Sequence, residues 1–187
     1  MRSFILYFFI ASTLLSQDIF RAGFGINYNI PSGDFAKNFT PSFGYSVRTE
    51  YEIDETITSS MILSINKYEA ELPSKVPIIY KSKKEISSIE LMIGLQYKIF
   101  NNTLILLTGG MNYISLPKEY YIDFGQAIEG NTKTEAYYII SPGIGYRNYI
   151  SDKINLLITS KYALVNGQFS NFNKFTFECN LLIDLDL

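Results

Sequence analysis

Residues 174–187 read Lys-Phe-Thr-Phe-Glu-Cys-Asn-Leu-Leu-Ile-Asp-Leu-Asp-Leu. Phe175, Phe177, Cys179, Leu181, Ile183, Leu185 and Leu187 alternate with Thr176, Glu178, Asn180, Asp184 and Asp186. A period of two sends successive side chains to opposite faces of an extended strand, whereas a helical period of 3.6 would scatter them. The segment is therefore a strand with one apolar and one polar face.

The same period recurs upstream. In 20–30, Phe20, Ala22, Phe24, Ile26, Tyr28 and Ile30 interleave with Arg21, Gly23, Gly25, Asn27 and Asn29. Segments 42–53, 56–67, 88–99, 135–148 and 153–165 alternate likewise, and 103–115 is apolar on both faces at its start, so its facing stays open. Eight strands are expected. Asp54-Glu55, Asn101-Asn102 and Ser151-Asp152 are short polar turns. Longer polar stretches at 31–41, 68–86, 117–134 and 166–173 lie between them. Short and long connections thus alternate, with both chain ends on the short-turn side, as in outer-membrane barrels. Pro142 interrupts the sixth strand and predicts a bulge or kink.

Composition sets limits. The 187 residues suit one domain, or a barrel plus a leader. With no His, sites that need an imidazole base or a His-held metal are excluded. One Cys excludes an internal disulfide or a multi-thiolate site. A net charge of −2 argues against nucleic acid as a partner. Met1-Arg2-Ser3, the apolar run Phe4–Leu15 and the Ser16-Gln17 exit form the three parts of a secretory signal peptide. Residues 1–17 are expected to be that leader and 18–187 the barrel domain, with a net charge of −3 once Arg2 is removed.

Alternation does not say which face is inside. A soluble barrel buries its apolar face, and a membrane barrel turns it to lipid. Three features favour lipid outside. Gly23, Gly25, Gly44, Gly94, Gly110, Gly143 and Gly145 sit on the polar side, where a narrow lumen needs small residues. Aromatics gather toward the ends of the apolar face, with Tyr51, Tyr97 and Tyr146 near the short turns and Tyr28, Phe43, Tyr45, Tyr138 and Phe175 near the long loops. Soluble lipid-binding barrels of the lipocalin kind carry Gly-x-Trp on the first strand, where this chain has Gly23-Phe24-Gly25 and no Trp anywhere. The alternative is a secreted soluble ligand-binding barrel.

On the export signal, the first strand DIFRAGFGINYNI, the alternating connections and the terminal strand KFTFECNLLIDLDL, the chain resembles the small eight-stranded outer-membrane barrels, of the OmpA-barrel, OmpX, OmpW and PorT-like kinds. The resemblance covers residues 18–187. It implies an all-β, eight-stranded, antiparallel up-and-down transmembrane barrel in a Gram-negative outer membrane, with both termini periplasmic. Outer-membrane lipid, lipopolysaccharide and the barrel insertion machinery are the partners it implies.

Eight strands enclose a space that side chains nearly fill. The inward set would include Arg21, Arg48, Glu50, Glu90, Gln96, Lys98, Arg147, Lys161, Glu178, Asp184 and Asp186. Spacing from the 166–173 loop puts Lys161 opposite Glu178, and closure of strand one on strand eight brings Arg21 to Asp184 or Asp186. The reading is a plugging charge network in a monomer, with no catalytic residue, cofactor or metal. Lipid A deacylases and palmitoyltransferases among small barrels use His, which this chain lacks, and a paired-carboxylate site from Glu50 and Glu90 implies no cleft. Loops 68–86, with Lys75, Lys81, Lys83 and Lys84, and 117–134, with Tyr120, Tyr121 and Phe124, are the surfaces on which a protein partner or lipopolysaccharide would act. The expected role is structural or surface interaction: envelope integrity, adhesion or an envelope-complex partner. The alternative is passage of small or apolar solutes.

Overall fold

The computed structural model describes residues 19–33, 36, 39–69, 85–116, 120–123, 126–129, 133–166 and 172–185. The leader at 1–17, Asp186, Leu187 and most of the 68–86 loop lie outside them. Eight strands form one closed antiparallel barrel. They are β1 (Phe20–Pro31), β2 (Ser42–Glu52), β3 (Ile57–Glu69), β4 (Glu85–Phe100), β5 (Thr103–Leu116), β8 (Lys133–Tyr149), β9 (Ile154–Asn166) and β10 (Lys174–Leu185). Each pairs with its sequence neighbour in the barrel, and β1 closes on β10 from Phe20↔Leu185 to Pro31↔Lys174.

The stretch 117–134, expected as a loop, holds a further hairpin of β6 (Tyr120–Asp123) and β7 (Gln126–Glu129), paired from Tyr120↔Glu129 to Asp123↔Gln126. Alternation over four residues is too short a signal to mark it. The barrel wall also rises higher than the turn residues suggest, since β3 runs to Glu69 and β4 begins at Glu85.

Pro142 does not produce a bulge. β8 pairs with β9 at Ile140↔Leu164 and resumes at Gly143↔Lys161 in unchanged register, skipping only Ser141 and Pro142. Pro142 still stands opposite Leu107 of β5. Having no N–H, it removes a ladder bond on one side without displacing the strand. The irregularity lies elsewhere, between Lys98 and Phe100, where the β4–β5 register shifts beside the Asn101-Asn102 turn.

Facing follows the period of two. Outward positions leave Tyr45 73 % and Ile93 70 % exposed, whereas inward Arg48 and Glu50 are each 1 % exposed. In β5 the ambiguous start resolves with Leu104 and Leu106 inside and Ile105 and Leu107 outside. A belt of exposed Leu, Ile, Val, Met and Phe runs round all eight barrel strands. In water such a surface is unfavourable by about 25 cal/mol per Å², so hydrocarbon is the solvent it fits. Aromatic pairs sit toward the long-loop end, Tyr28 on Phe43 at 4.8 Å and Tyr162 on Phe175 at 4.6 Å. Exposed Tyr97, Tyr146 and Tyr149 ring the short-turn end. Replacing Ile93 with Arg is expected to destabilise the inserted barrel by about 2–4 kcal/mol, because it faces the hydrocarbon midplane. The same change at Tyr149, on the rim, should cost about 0–1 kcal/mol. Urea titration of barrels refolded in lipid vesicles reads the difference, and equal costs at both positions would show that no depth gradient exists.

The short turns are locked locally. Asp54 Oδ1 accepts bonds from Thr56 Oγ1 at 2.7 Å, Thr56 N at 2.7 Å and Ile57 N at 2.8 Å. The Thr56 hydroxyl above all, with those two amides, holds the Asp54 carboxyl below the usual carboxylate range.

Candidate functional site

The lumen gathers nearly all the charge-bearing residues singled out from the sequence. Because β1 pairs with β10 and β2, Arg21 sits between Asp184 and Glu50 in register. Its Nε donates to Asp184 Oδ1 at 3.0 Å and its Nη2 to Glu52 Oε2 at 2.6 Å. Asn155 Nδ2 donates to the same Asp184 oxygen at 2.9 Å. This group closes the short-turn end near the chain ends.

In the short-turn half, Glu50 is the hub. Its Oε1 accepts from Arg48 Nε at 2.7 Å and Gln96 Nε2 at 2.6 Å, and its Oε2 from Arg147 Nη2 at 2.5 Å. Around the ring, β2 and β8 lie four strands apart, so the Arg147–Glu50 bond spans the full diameter. Glu178 of β10 accepts from Lys161 Nζ at 2.6 Å and from Thr159 Oγ1 at 3.3 Å. Lys161 and Glu178 do not stand opposite each other, as a symmetric loop would place them. Lys161 pairs with Thr176 and Glu178 with Thr159, so the contact is diagonal and bridged by the long lysine stem.

In the long-loop half a second strap crosses at right angles to the first. Lys174 of β10 donates to Glu90 of β4, again four strands away, and to Tyr68 Oη at 3.0 Å. Asn66 Nδ2 and Ser88 Oγ complete Glu90 at 3.2 and 3.3 Å. Around this strap the inward faces of β3, β4, β5, β8 and β9 also carry an apolar cluster, with Ile62, Ile86, Ile114, Tyr137, Ile139 and Val165 buried together with Phe172. A polar network thus stands beside an apolar plug.

Lys98 is not part of this network. It is exposed on the short-turn rim, where it lines an open depression with Glu52, Glu55, Asn101, Asn102 and Arg147. It keeps the inward register, opposite buried Leu104, but stands at the open end of the barrel, where its side chain reaches solvent. Glu50 and Glu90 do not form a carboxylate pair, since each is committed to its own cations in a different half of the lumen. Lys174, Tyr68 and Glu52 are absent from the sequence-derived set. Lys174 has the even parity of the polar face of β10, which is the one signal that could have found it. Among the described residues no group of three or more His, Cys, Asp or Glu converges as metal ligands would.

A closed antiparallel eight-stranded barrel, apolar outside and filled with paired charges inside, is the architecture of the small outer-membrane barrels. Comparison with solved structures agrees. The fold is similar to that of Ail, the attachment invasion locus protein of Yersinia pestis, with a TM-score of 0.52 and 10 % identity over 90 % of this chain and 97 % of that one. It is also similar to the Neisserial surface protein A, with a TM-score of 0.50 and 11 % identity over 90 % and 97 % of the two chains. No protein-family model matches the chain, and no curated protein matches it.

Proposed function

We propose that the protein is an outer-membrane barrel with a structural or surface-interaction role, both termini in the periplasm and the long loops outside. The observation that carries this reading is the pair of crossed full-diameter straps, Arg147–Glu50 and Lys174–Glu90, stacked with an apolar plug. A water-filled path along the axis would have to break two buried ion pairs and part a packed apolar cluster. Such a barrel acts through its rim, its loops and its place in the membrane rather than as a conduit. The shared fold with Ail, a protein named for attachment and invasion, supports the same reading. Loops 68–86 and 117–134 are the proposed partner-facing surfaces. A chain without His also lacks the imidazole that acyl-transfer barrels rely on, so the reading is non-enzymatic.

Two measurements test it. In cell fractions the protein should sediment with the outer membrane and migrate differently on gels when unboiled. In planar bilayers the purified barrel should give no steady current. A stable open level would refute the plug and leave solute passage as the better account, and a detergent-free soluble protein would overturn the membrane reading altogether.

A further inference from the structure

We propose that the centre of the lumen is a binding site for one buried monoatomic anion of halide size, seated between Arg48, Asn180 and Ser64. Five charged groups run across the lumen as an alternating chain: Arg147, Glu50, Arg48, Glu178, Lys161. Three are cations and two are anions, so this buried chain carries one positive charge in excess. The Lys174–Glu90 pair is balanced in itself. Asp184 and Glu52, which would offset the surplus, belong to Arg21 at the partly exposed rim.

The surplus charge coincides with a surplus of donors. Arg48 Nε is bonded to Glu50, but Arg48 Nη1 and Nη2 have no hydrogen-bond acceptor and are sealed from solvent. Nη1 approaches Glu178 Oε2 only to 3.7 Å. Asn180 Nδ2 and Ser64 Oγ are also buried without partners. These groups share one region of wall. Ser64 pairs with Ser46, Ser46 with Gly25 and Gly25 with Asn180, which makes a single rung across β3, β2, β1 and β10. Arg48 stands two residues below that rung, and the contact of its Nη1 with Glu178, two residues above it, brings the guanidinium to the rung's level. Gly23 and Gly25 on β1 clear the way for the side chains of β2 and β10 to meet.

A water molecule could accept from two of these donors and place its protons on Ser64, Asn180 Oδ1 or the Glu178 carboxylate, but it would leave the positive charge uncancelled. A halide accepts from several donors, brings none and cancels the charge, so donor surplus and charge surplus select the same occupant.

The test is refolding of the chain at constant ionic strength in sodium bromide or sodium methanesulfonate, followed by thermal unfolding. A specific site shifts the midpoint upward with the logarithm of bromide concentration. Arg48→Gln should lose that shift. Asn180→Asp, which puts a tethered carboxylate in the seat, should raise the midpoint in methanesulfonate and abolish the response to bromide. If Arg48→Gln does not fold, Asn180→Asp alone decides. Equal midpoints in the two salts, or a bromide response that survives in Asn180→Asp, would overturn the proposal in favour of a general salt effect.

Discussion

Replacing Glu90 with Gln will destabilise the barrel by about 3–5 kcal/mol, although the change keeps the shape of the side chain. Lys174 is fully buried, and Glu90 is its only carboxylate partner among the described residues. In the Glu90→Gln variant the ammonium keeps Tyr68 Oη and loses its counter-charge. An uncompensated charge inside the lumen then has to be carried by the folded state alone. The double replacement Glu90→Met with Lys174→Met should recover most of the loss, because a buried ion pair exchanged as a unit for apolar side chains is often neutral or stabilising. Met92, the next inward residue of β4 after Glu90, belongs to the apolar cluster that would accept them. By contrast Glu52→Gln, at the partly exposed rim, should cost no more than about 1 kcal/mol. Urea unfolding followed by circular dichroism and unboiled gel migration reads all three, since the chain has no Trp to serve as a fluorescence probe. A Glu90→Gln barrel as stable as the parent, or a double variant no better than the single, would show that the strap does not couple β4 to β10.

This contrast explains what could be read in advance. The strands and their two faces follow from parity, a local property, and the choice of inward face follows from where the glycines and aromatics fall on those faces. Arg21 beside Asp184 follows from closure and parity together. Register across a long loop is not local. A hairpin centred on 166–173 would set Lys161 directly opposite Glu178, whereas the observed pairing, Lys161 with Thr176 and Glu178 with Thr159, is shifted by two residues. The straps are less accessible still, since nothing in the spacing of Lys174 and Glu90, 84 residues apart, links them. Their meeting depends on barrel size and stagger, which set which strands face each other across the lumen. The apolar plug is hidden for a related reason. Ile62, Ile86, Ile114 and Ile139 each break the polar row of their own strand, which reads as noise until four neighbouring strands place those breaks side by side. Lys98 fails in the opposite sense: it obeys parity and keeps its register, but it stands at the rim, and parity does not say how deep in the lumen a residue lies.

Replacing Gly23 with Ala is expected to block closure of the barrel, a larger effect than its single added methyl suggests. A Cβ at Gly23 would lie 1.9 Å from the carbonyl oxygen of Leu181 and 2.9 Å from the Cα of Leu182. Both are backbone atoms of β10, so no rotamer change relieves the clash. Only a retreat of β10 from β1 would. That seam is where the first and last strands meet, and it is the pairing with the longest loop to close during assembly. Separation there would also pull Arg48 away from Glu178, which approach each other across β1 over this glycine pair. Overpacking in a dense interior typically costs about 1–3 kcal/mol, and a clash with fixed backbone belongs at or above the upper end. Gly109→Ala is the control, because Gly109 faces outward and its nearest neighbour would be 3.6 Å away. It should change stability by no more than about 0.5 kcal/mol, or raise it slightly by restricting the unfolded chain. Refolding yield, scored by unboiled gel migration, should therefore collapse for Gly23→Ala and hold for Gly109→Ala. Equal yields would mean that β1 and β10 have room to spare, and the close seam would no longer account for how β2 and β10 reach each other across the lumen.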